Sequence, residues 1–443
     1  MPFNRSDNPS YITKMPDGTI KQFNPFTSTE VWTIPGRADK RIDLDIPDAK
    51  PITDDGHTCI FCPERILETP PEKSRVIKEK NGDTSILHTA SIDDLPLSWE
   101  FRRIPHIHEI VPYSYWQKNY RYEMSHDAKR RMESYMSDPA GKSHLLSMVK
   151  EKILSSGATH GEWENLSERE RLQYATSFFG GSHDVIIARR HYTDNARNTH
   201  DIASAGTLTP GEHSGYIELT IDAMHDLYSR NRYAKYVQVF QNWRRGAGAS
   251  IDHLHKQLVA IDERPVQARR EIPLLRNNPN MYNEDAVDYA AFHNLVIAEN
   301  EHAIAVVGFG HRYPTLEVWS RSSACQPWEH SSEERRAMSD LIHAMHAATG
   351  ALVPTNEEWY TKPIDLDIAM PWHVFIKWRV STLAGFEGGS KIYVNTIDPY
   401  SLRDRIVPQL LELRAEGRIA ENIHIDSECL CPVNSLKYNV HLH

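Results

Sequence analysis

Two imidazoles and an amide recur at every second position within residues 246–258, GAGASIDHLHKQL; they belong to His253, His255 and Gln257. Side chains alternate across a β-strand, so a strand here would place all three on one face. A neutral imidazole can act as a nucleophile or bind a metal, and an amide N–H can hold an anionic oxygen. The alternative is a solvent-facing strand edge on which the three polar side chains share no task.

The loop before these side chains favours an anionic ligand. Gly246, Gly248 and Ser250 would let backbone N–H groups approach an anion closely, because glycine has no side chain in the way. Three aligned polar groups beside such a loop indicate a binding or catalytic site rather than an ordinary strand edge.

A second group of candidate ligands begins with Cys59-x-x-Cys62. Zinc takes about four nitrogen or sulfur ligands in a tetrahedron, so the two cysteines would have to meet two further side chains. His191, which follows a short apolar strand, and His253 are the candidates. A redox pair or two unconnected core thiols would show the same spacing, and both alternatives stay open.

Composition argues against several classes of function. The chain has 443 residues, of which 40% are hydrophobic and 25% charged, as in ordinary globular proteins. Its formal net charge of −10 argues against a nucleic-acid partner, because binding a phosphate backbone needs a basic face. No window approaches the roughly 20 apolar residues of a membrane span. Five cysteines in a chain of this length favour a cytoplasmic location over a disulfide framework.

Strands and helices must position these groups. YAKYVQVFQNW and IDHLHKQLVAI flank the glycine-rich loop and predict an antiparallel pair of strands, and DVIIA predicts a strand that ends shortly before His191. Residues 210–229 have the apolar spacing of a helix. Beyond residue 271 the plan recurs, with strands in EHAIAVVGFG and WHVFIKWRV and a helix in SSEERRAMSDLIHAMHAATG. The sequence therefore predicts two α+β halves, which an ancient duplication would explain.

These elements predict a division of the chain. We expect an N-terminal tail (1–20), an N-terminal half (21–270) that carries both motifs, a C-terminal half (271–420) and a C-terminal tail (421–443). Within the first half, residues 113–178 predict a charged helical insertion in which Ser and Asp can cap helices. The insertion would cover the site, form a dimer interface or decorate the surface, and the sequence leaves these roles open.

Several motifs resemble, in order, those of the galactose-1-phosphate uridylyltransferase-like family. NPFTSTEVWTIPGRADKR (24–41) is similar to the family's opening, and CIFCPE (59–64) to its zinc-binding CxxC motif. SHDVIIARRH (182–191) is similar to a strand that ends in a zinc histidine, and NWRRGAGASIDHLHKQ (242–257) to the family's HxHxQ signature. In the second half, WHVFIKWRVSTLAGFEGGSKIYVN resembles the branch that includes sugar-nucleotide phosphorylases.

The resemblance implies the histidine-triad superfamily and an α+β fold: a duplicated histidine-triad-like fold in which two antiparallel-sheet halves have flanking helices. By position, His255 matches the nucleophile that attacks the α-phosphorus of a nucleotide sugar, and Gln257 the amide that holds a phosphoryl oxygen. Ser250 matches a group beside the α- and β-phosphates. A nucleoside monophosphate, expected to be UMP, would then pass between sugar 1-phosphates through a nucleotidyl-histidine.

The same resemblance implies the remaining site residues and partners. The implied ligands of a structural zinc ion are Cys59, Cys62, His191 and His253. The implied nucleotide- and phosphate-binding residues are Asn242, Gly248, Arg37 and Arg41, and Glu387 matches the carboxylate that binds sugar hydroxyls. We expect a nucleotide sugar and a sugar 1-phosphate or inorganic phosphate as substrates, a homodimer, and no nucleic-acid or membrane partner.

Some positions depart from the family pattern. Arg244 stands where the family has a small residue, and His106 where it has an asparagine near the nucleotide. We expect no iron site in the second half, because position 371 is proline and only His373 remains. Three activities stay open: uridylyl transfer, phosphorolysis of an ADP-sugar or dinucleoside polyphosphate, and nucleotide binding by a zinc-stabilised protein without turnover.

Overall fold

β-Strands run through both halves of the chain in a computed structural model, which describes residues 10–36, 46, 48–52, 59–79, 84–88, 92–95 and 98–439. The strands of the first half and its N-terminal segment are Ile12–Lys14 (β1), Ile20–Phe23 (β2), Glu30–Thr33 (β3), Ser74–Lys78 (β4), Thr84–Leu87 (β5), Phe101–Pro105 (β6), His183–Ala188 (β7), Tyr236–Trp243 (β8) and His255–Ile261 (β9). Those that follow are Val296–Glu299 (β10), Ala303–Gly308 (β11), Thr315–Ser320 (β12), Thr355–Tyr360 (β13), His373–Trp378 (β14), Ile392–Val394 (β15) and His424–Ile425 (β16).

Helices alternate with these strands in blocks. They are Tyr113–Tyr120 (α1), His126–Ser137 (α2), Pro139–Ser155 (α3), His160–Asn165 (α4), Glu168–Gly180 (α5), Pro210–Arg230 (α6), Val266–Asn277 (α7), Asp288–Phe292 (α8), Ser332–Thr349 (α9), Gly385–Ser390 (α10) and Pro399–Ala415 (α11). The helix predicted for residues 210–229 is α6. The predicted serine cap of α9 is Ser331, and Gly350 with φ 85° ends the helix as expected for a glycine stop.

Twelve strands of the described chain form one sheet, in the order β16-β10-β11-β12-β14-β13-β8-β9-β7-β6-β4-β5. Every pair of neighbours in it is antiparallel, and the predicted β8–β9 pair is among them. The α+β prediction is confirmed. The two expected half-sheets are not separate, because β8 pairs with β13 and joins them into one surface.

The strand order repeats outward from the central β8–β13 pair. One side continues β9-β7-β6-β4 and the other β14-β12-β11-β10, so each strand has a counterpart in the other half. His255 and His373 are the first residues of the counterpart strands β9 and β14. Their Nδ1 atoms contact the backbone carbonyls of His253 and Pro371, two residues earlier, at 2.7 and 2.9 Å. This correspondence supports the duplication that the sequence predicts.

Helices cover one face of the sheet. α6 packs against β6 to β9, α9 packs against β11, β12 and β14, and the two helices pack against each other. Lys256, in β9, lies on this face, since its Nζ is 4.6 Å from the ring centroid of Tyr216 in α6. His255 and Gln257 alternate with Lys256 and therefore face the other side.

Five helices, α1 to α5, occupy the predicted insertion at residues 113–178 and extend it to Gly180. Side chains cap four of them: Ser125, Asp138, Thr159 and Ser167 accept hydrogen bonds from the first-turn backbone N–H groups. The bundle docks on the rest of the chain through buried polar contacts. For example, His144 Nε2 lies 3.0 Å from the carbonyl oxygen of Thr69.

Both expected tails contribute to sheets in their described parts. Residues 12–14 form β1, which pairs with β2, and Tyr11 packs against the rings of Tyr289 and Phe309. Residues 424–425 form β16, which pairs with β10 at the edge of the large sheet. The boundary expected at residue 270 falls inside α7, so the chain crosses between the halves as a helix. The division into an N-terminal half (21–270) and a C-terminal half (271–420) stays a proposal.

Helices in the described part of the chain are too short or too polar to cross a membrane.

Candidate active site and metal centre

The strand that carries His255 is anchored from behind by a buried ion pair. Lys256 Nζ lies 2.6 Å from Glu357 Oε1 in β13, and both side chains are fully buried. Burial raises the pKa of the Glu357 carboxyl, but Lys256 and His346 together lower it by more, so the net shift of this pKa is downward. His346 in α9 contacts the other carboxylate oxygen at 2.8 Å. These contacts connect β9 to β13 and α9 and fix the strand whose other face bears His255.

His255 has one ring nitrogen engaged and one free. Its Nδ1 is 2.7 Å from the carbonyl oxygen of His253, and a carbonyl can only accept, so the proton lies on Nδ1. Nε2 then carries a lone pair, and it has no hydrogen bond among the described residues. Burial lowers the pKa of His255, which also favours the neutral ring. The ring of Phe61 packs edge-to-face with this imidazole, with 5.3 Å between centroids.

The strand face that bears His255 has apolar neighbours. Its neighbours across the sheet are Ile187, opposite His255, and Val185, opposite Gln257. Together with Ile104 these residues form a small apolar cluster separate from the main core, against which Phe61 packs. A low-dielectric wall of this kind strengthens the interaction of a bound anion with nearby donors.

The structure brings the four predicted metal ligands together. Cys59, Cys62, His191 and His253 each offer one ligand atom, and these atoms all lie within 4.8 Å of one another; we call them the metal cluster. Cys59 Sγ is 3.7 Å from Cys62 Sγ and 3.3 Å from His253 Nδ1. Cys62 Sγ is 3.4 Å from His191 Nδ1 and 3.8 Å from His253 Nδ1. This is a closed set of donors that could hold a metal ion.

Neighbouring groups favour the protonation states of His253 and Cys59 that bind a cation. His253 Nε2 lies 2.6 Å from the carbonyl oxygen of Ala188, so it donates its proton there and leaves Nδ1 as a lone-pair donor. The hydrogen bond with Cys62 lowers the pKa of the Cys59 thiol. His253 thus has two tasks: its ring faces the cluster, and its backbone carbonyl holds His255.

Gln257 lies on the same face as His255, and its amide has a partner that the sequence did not predict. Its Oε1 is 3.1 Å from Nε2 of His183, the first residue of β7. The His183 ring stacks on His106, with centroids 4.2 Å apart and 11° between the planes. Burial lowers the pKa of His183 to about 4 and that of His106 to about 3. Both rings are therefore neutral at pH 7.

The first part of the connection between β8 and β9, the loop at residues 244–250, is held in place by the second half of the chain. Asn356 in β13 donates through Nδ2 to Asn242 Oδ1 at 2.7 Å and to the carbonyl oxygen of Ala247 at 2.8 Å. Arg379 in turn donates to Asn356 Oδ1 at 2.7 Å. Gly248 has φ 89°, and a Cβ added there would meet no atom within 4 Å, so this part of the loop faces open space.

Arg244, which stands where the family has a small residue, has an unusual backbone conformation. Its φ of 66° with ψ 156° lies in a region that glycine alone occupies readily. A non-glycine residue there costs on the order of 1–3 kcal/mol. The backbone at this point has the shape that a small residue would favour, although the side chain is arginine.

The remaining predicted residues have no common contact in the described structure. Glu387 is buried, and its Oε2 accepts the backbone N–H of Ala384 at 3.1 Å at the start of α10. Ser250 is exposed at the end of the glycine-rich loop. Arg37 and Arg41 lie outside the described residues.

Sequence reasoning missed His183, Asn356 and Arg379. For His183 a signal was present, because the alternation His183, Val185, Ile187 puts it on the same strand face as the apolar cluster. For Asn356 and Arg379 no local signal exists, since their role follows from the β8–β13 pairing that joins the halves.

Two curated proteins match parts of this chain. An ADP-glucose phosphorylase from Arabidopsis thaliana is 25% identical over 173 residues, which cover 37% of this chain and 49% of that protein. A galactose-1-phosphate uridylyltransferase from Thermotoga maritima is 22% identical over 203 residues, which cover 41% of this chain and 63% of that protein. The matches thus span about half of the first relative and less than two thirds of the second.

Two solved structures share the fold. The crystal structure of an ADP-glucose phosphorylase from Arabidopsis thaliana with bound ADP-glucose has a TM-score of 0.55 at 17% identity, covering 88% of this chain and 98% of that chain. A GalT-like protein from Arabidopsis thaliana has a TM-score of 0.53 at 16% identity, with the same coverage.

These similarities confirm the resemblance to the galactose-1-phosphate uridylyltransferase-like family that the motifs indicated. One family model matches residues 15–438, nearly the whole chain. The chain therefore belongs to the family described as a domain of unknown function, DUF4921.

Proposed function

We propose that this protein is a nucleotidyl-transferring enzyme that takes a nucleoside monophosphate from a nucleotide sugar and passes it to a second phosphate-bearing acceptor through a nucleotidyl-His255 intermediate. The observation that supports this most directly is the state of His255. Its Nδ1–H is bound to the carbonyl oxygen of His253, which leaves Nε2 with a lone pair and no hydrogen bond among the described residues. The named relatives, an ADP-glucose phosphorylase and a galactose-1-phosphate uridylyltransferase, support the substrate class.

The reaction would proceed by two displacements. His255 Nε2 attacks the α-phosphorus of the nucleotide sugar, an N–P bond forms, and the sugar 1-phosphate leaves with the electron pair of the broken P–O bond. A phosphate oxygen of the acceptor then attacks the same phosphorus, and the N–P electron pair returns to Nε2. Gln257 and the loop 244–250 would supply N–H donors to the phosphoryl oxygens, whose negative charge grows in the transition state.

Two acceptors remain candidates. A hexose 1-phosphate would make the protein a uridylyltransferase, with UMP as the group transferred, and inorganic phosphate would make it an ADP-sugar phosphorylase. Incubation with labelled UDP-galactose or ADP-glucose, followed by removal of free nucleotide, should leave label on the protein for the cognate donor. A chase with galactose 1-phosphate or with inorganic phosphate then identifies the acceptor by which one releases the label.

A nucleotide-binding protein without turnover is the competing proposal. It predicts that a nucleotide binds without covalent labelling and without release of sugar 1-phosphate. If none of the nucleotide sugars, nor a dinucleoside polyphosphate, labels the protein under rapid quench although a nucleotide binds, this competitor replaces the enzyme.

We propose zinc as the metal of the cluster, in a structural role. Zinc–sulfur and zinc–nitrogen bonds of about 2.3 and 2.0 Å in a tetrahedron separate the ligand atoms by roughly 3.3–3.8 Å. Four of the six separations, from 3.3 to 3.8 Å, fit that size, and all ligand atoms lie within 4.8 Å of one another. Four protein ligands leave no position for a substrate, so the metal would hold the strand segment before His255 and enter no chemical step. A cytoplasmic homodimer stays a prediction.

Glu387→Ala should weaken transfer to a hexose 1-phosphate roughly 10- to 100-fold, the effect of a lost hydrogen bond from a charged group. Loading of His255 from the nucleotide sugar should change less, if the carboxylate binds sugar hydroxyls of the acceptor. Single-turnover measurements of the two half-reactions separate the effects. Glu387→Gln is the matched control, because its amide oxygen can still accept the N–H of Ala384. Equal damage to both half-reactions in Glu387→Ala, with both restored in Glu387→Gln, would make Glu387 a structural cap only.

Asn356→Ala should weaken nucleotide binding by roughly tenfold. The variant removes the amide that holds Asn242 and the carbonyl of Ala247, so the loop 244–250 loses these attachments to β13. Titration calorimetry with ADP and UDP measures the change. Asn283→Ala is the matched control. Asn283 Nδ2 also donates to a backbone carbonyl, that of Leu436, but it lies in the second half away from the loop. The control should lower thermal stability and keep nucleotide affinity; equal losses of affinity in both variants would contradict the assignment.

A further inference from the structure

Backbone contacts determine which nitrogen of His183 carries the proton. The backbone N–H of Ile110 donates to His183 Nδ1 at 3.1 Å, so Nδ1 holds a lone pair. The proton of the neutral ring must then lie on Nε2. The stacked neighbour follows the same rule, since the N–H of His108 donates to His106 Nδ1 at 2.9 Å. Both imidazoles are thus set as Nε2–H donors by the chain that follows β6.

This tautomer determines how the Gln257 amide is oriented. His183 Nε2–H can only donate, so the atom 3.1 Å away must be the amide oxygen of Gln257 and not its nitrogen. The carboxamide NH₂ then points away from His183. That nitrogen has no hydrogen bond within the described chain, and the side chain is only partly buried. Gln257 therefore offers two N–H groups on the face where His255 Nε2 lies.

We propose that His183 is a positioning residue: through its Nε2–H it holds the Gln257 amide with the NH₂ group toward the phosphoryl oxygens of the nucleotide being transferred. This role rests on the proposed function of His255. Without His183 the amide could rotate by half a turn, and its oxygen would then face an anionic phosphoryl group and repel it. The stacked His106 contributes by holding the plane of the His183 ring.

Single-turnover loading of His255 tests the role through a double-mutant cycle. His183→Phe keeps an aromatic ring to stack on His106 and removes the donor. We expect it to lower the loading rate about tenfold in the natural background and less than about twofold in Gln257→Ala, because the second background has no amide to orient. His183→Gln carries an amide N–H near the Nε2 position and should recover most of the lost rate.

A buried histidine far from Gln257 provides the control. His144, in the insertion, is held by Tyr135 and by the Thr69 carbonyl, much as His183 is held by two partners. His144→Phe should lower thermal stability and leave the loading rate within about twofold. Equal rate losses from His183→Phe in both backgrounds would show a general structural effect and overturn the proposal.

Ring NMR tests the tautomer without any turnover. A long-range ¹H–¹⁵N correlation spectrum of protein labelled with ¹⁵N-histidine should contain the signals of neutral rings protonated on Nε2. The signals of one such ring should disappear in His183→Phe and in His183→Gln. An Nδ1–H tautomer for His183 would overturn the proposal even if loading occurs. If no nucleotide sugar labels the protein at all, the proposed function fails. The histidine spectrum and the Gln257 NH₂ resonance then test the orientation of the amide. We expect the NH₂ resonance to shift in His183→Phe; if it does not shift, the proposed role of His183 is overturned.

Discussion

His255→Asn should form no covalent adduct and show no turnover, while keeping its metal. The lost group is the Nε2 lone pair, and the asparagine amide has no comparable nucleophile. Natural protein incubated with its cognate nucleotide sugar should gain one nucleoside monophosphate on His255, acid-labile and alkali-stable as expected of an N–P bond. Intact-mass spectrometry after rapid quench measures the adduct. Turnover should fall by roughly 10⁴-fold or more, by analogy with removal of other covalent nucleophiles.

His373→Asn is the matched control for this experiment. His373 occupies the counterpart position in β14, is buried, and makes the same Nδ1 contact with a carbonyl two residues earlier. It should therefore report the cost of losing such a histidine from the fold without affecting the adduct. Robust turnover in His255→Asn, or consumption of substrate without any covalent species, would exclude double displacement and leave direct transfer.

Gln257→His changes the partition between transfer and hydrolysis. An imidazole at position 257 could donate a proton to a leaving group, which the neutral amide cannot do. We expect a higher ratio of hydrolysis to transfer in this variant, measured as free nucleoside monophosphate relative to acceptor product. An unchanged ratio would show that the amide's lack of a titratable proton has no part in selecting transfer.

The strand positions of His255 and Gln257 were predictable because alternation in a strand depends only on local sequence. Their separation by one residue places them on one face wherever the strand lies. The start of the strand was less predictable: β9 begins at His255, and His253 lies in the segment before it. The His253 ring still lies near that of His255, because Phe61 packs against both imidazoles.

Contacts between distant strands could not be predicted from the sequence. His183 and Gln257 are 74 residues apart and meet only because β7 and β9 pair in a register that puts Val185 opposite Gln257. Asn356 reaches Asn242 only because β13 pairs with β8, which makes one sheet of two expected halves. A shift of either register by one residue would turn these side chains to the opposite face, and single-sequence patterns do not fix register to that degree.

The metal cluster was only partly predictable from the sequence. The CxxC spacing suggested two ligands but fitted a redox pair equally well, and His191 and His253 were candidates that the family resemblance then implied as the other two. In the structure the cysteines come from a loop, His191 from the segment after β7 and His253 from the segment before β9. The cluster thus joins three segments that no single strand pairing holds together.

Cys59→Ser should lose the metal and much of the stability of the fold around His255. A hydroxyl is a poor substitute for a thiolate, so we expect zinc affinity to fall by more than the roughly 10- to 100-fold that loss of an outer-shell partner costs. Binding energy of a closed zinc site is also folding energy, so thermal stability should fall with zinc content. Metal analysis should find about one zinc per natural chain and far less in the variant, and a thermal melt should show the lower midpoint.

The comparison with Cys429→Ser makes this result specific. Cys429 is also a free, partly exposed cysteine, yet the hydrogen-bond partner of its sulfur among the described residues is the carbonyl oxygen of His424, at 3.5 Å, and not a metal-ligating side chain. Its replacement should leave zinc content and the melting midpoint close to those of the natural chain. His253→Ala should behave like Cys59→Ser and lose the metal, whereas His255→Asn, only two residues away, should retain it. Full zinc occupancy in Cys59→Ser would exclude the cluster as the metal site. Loss of zinc in His255→Asn would contradict the division of roles in which His253 binds the metal and His255 is the nucleophile.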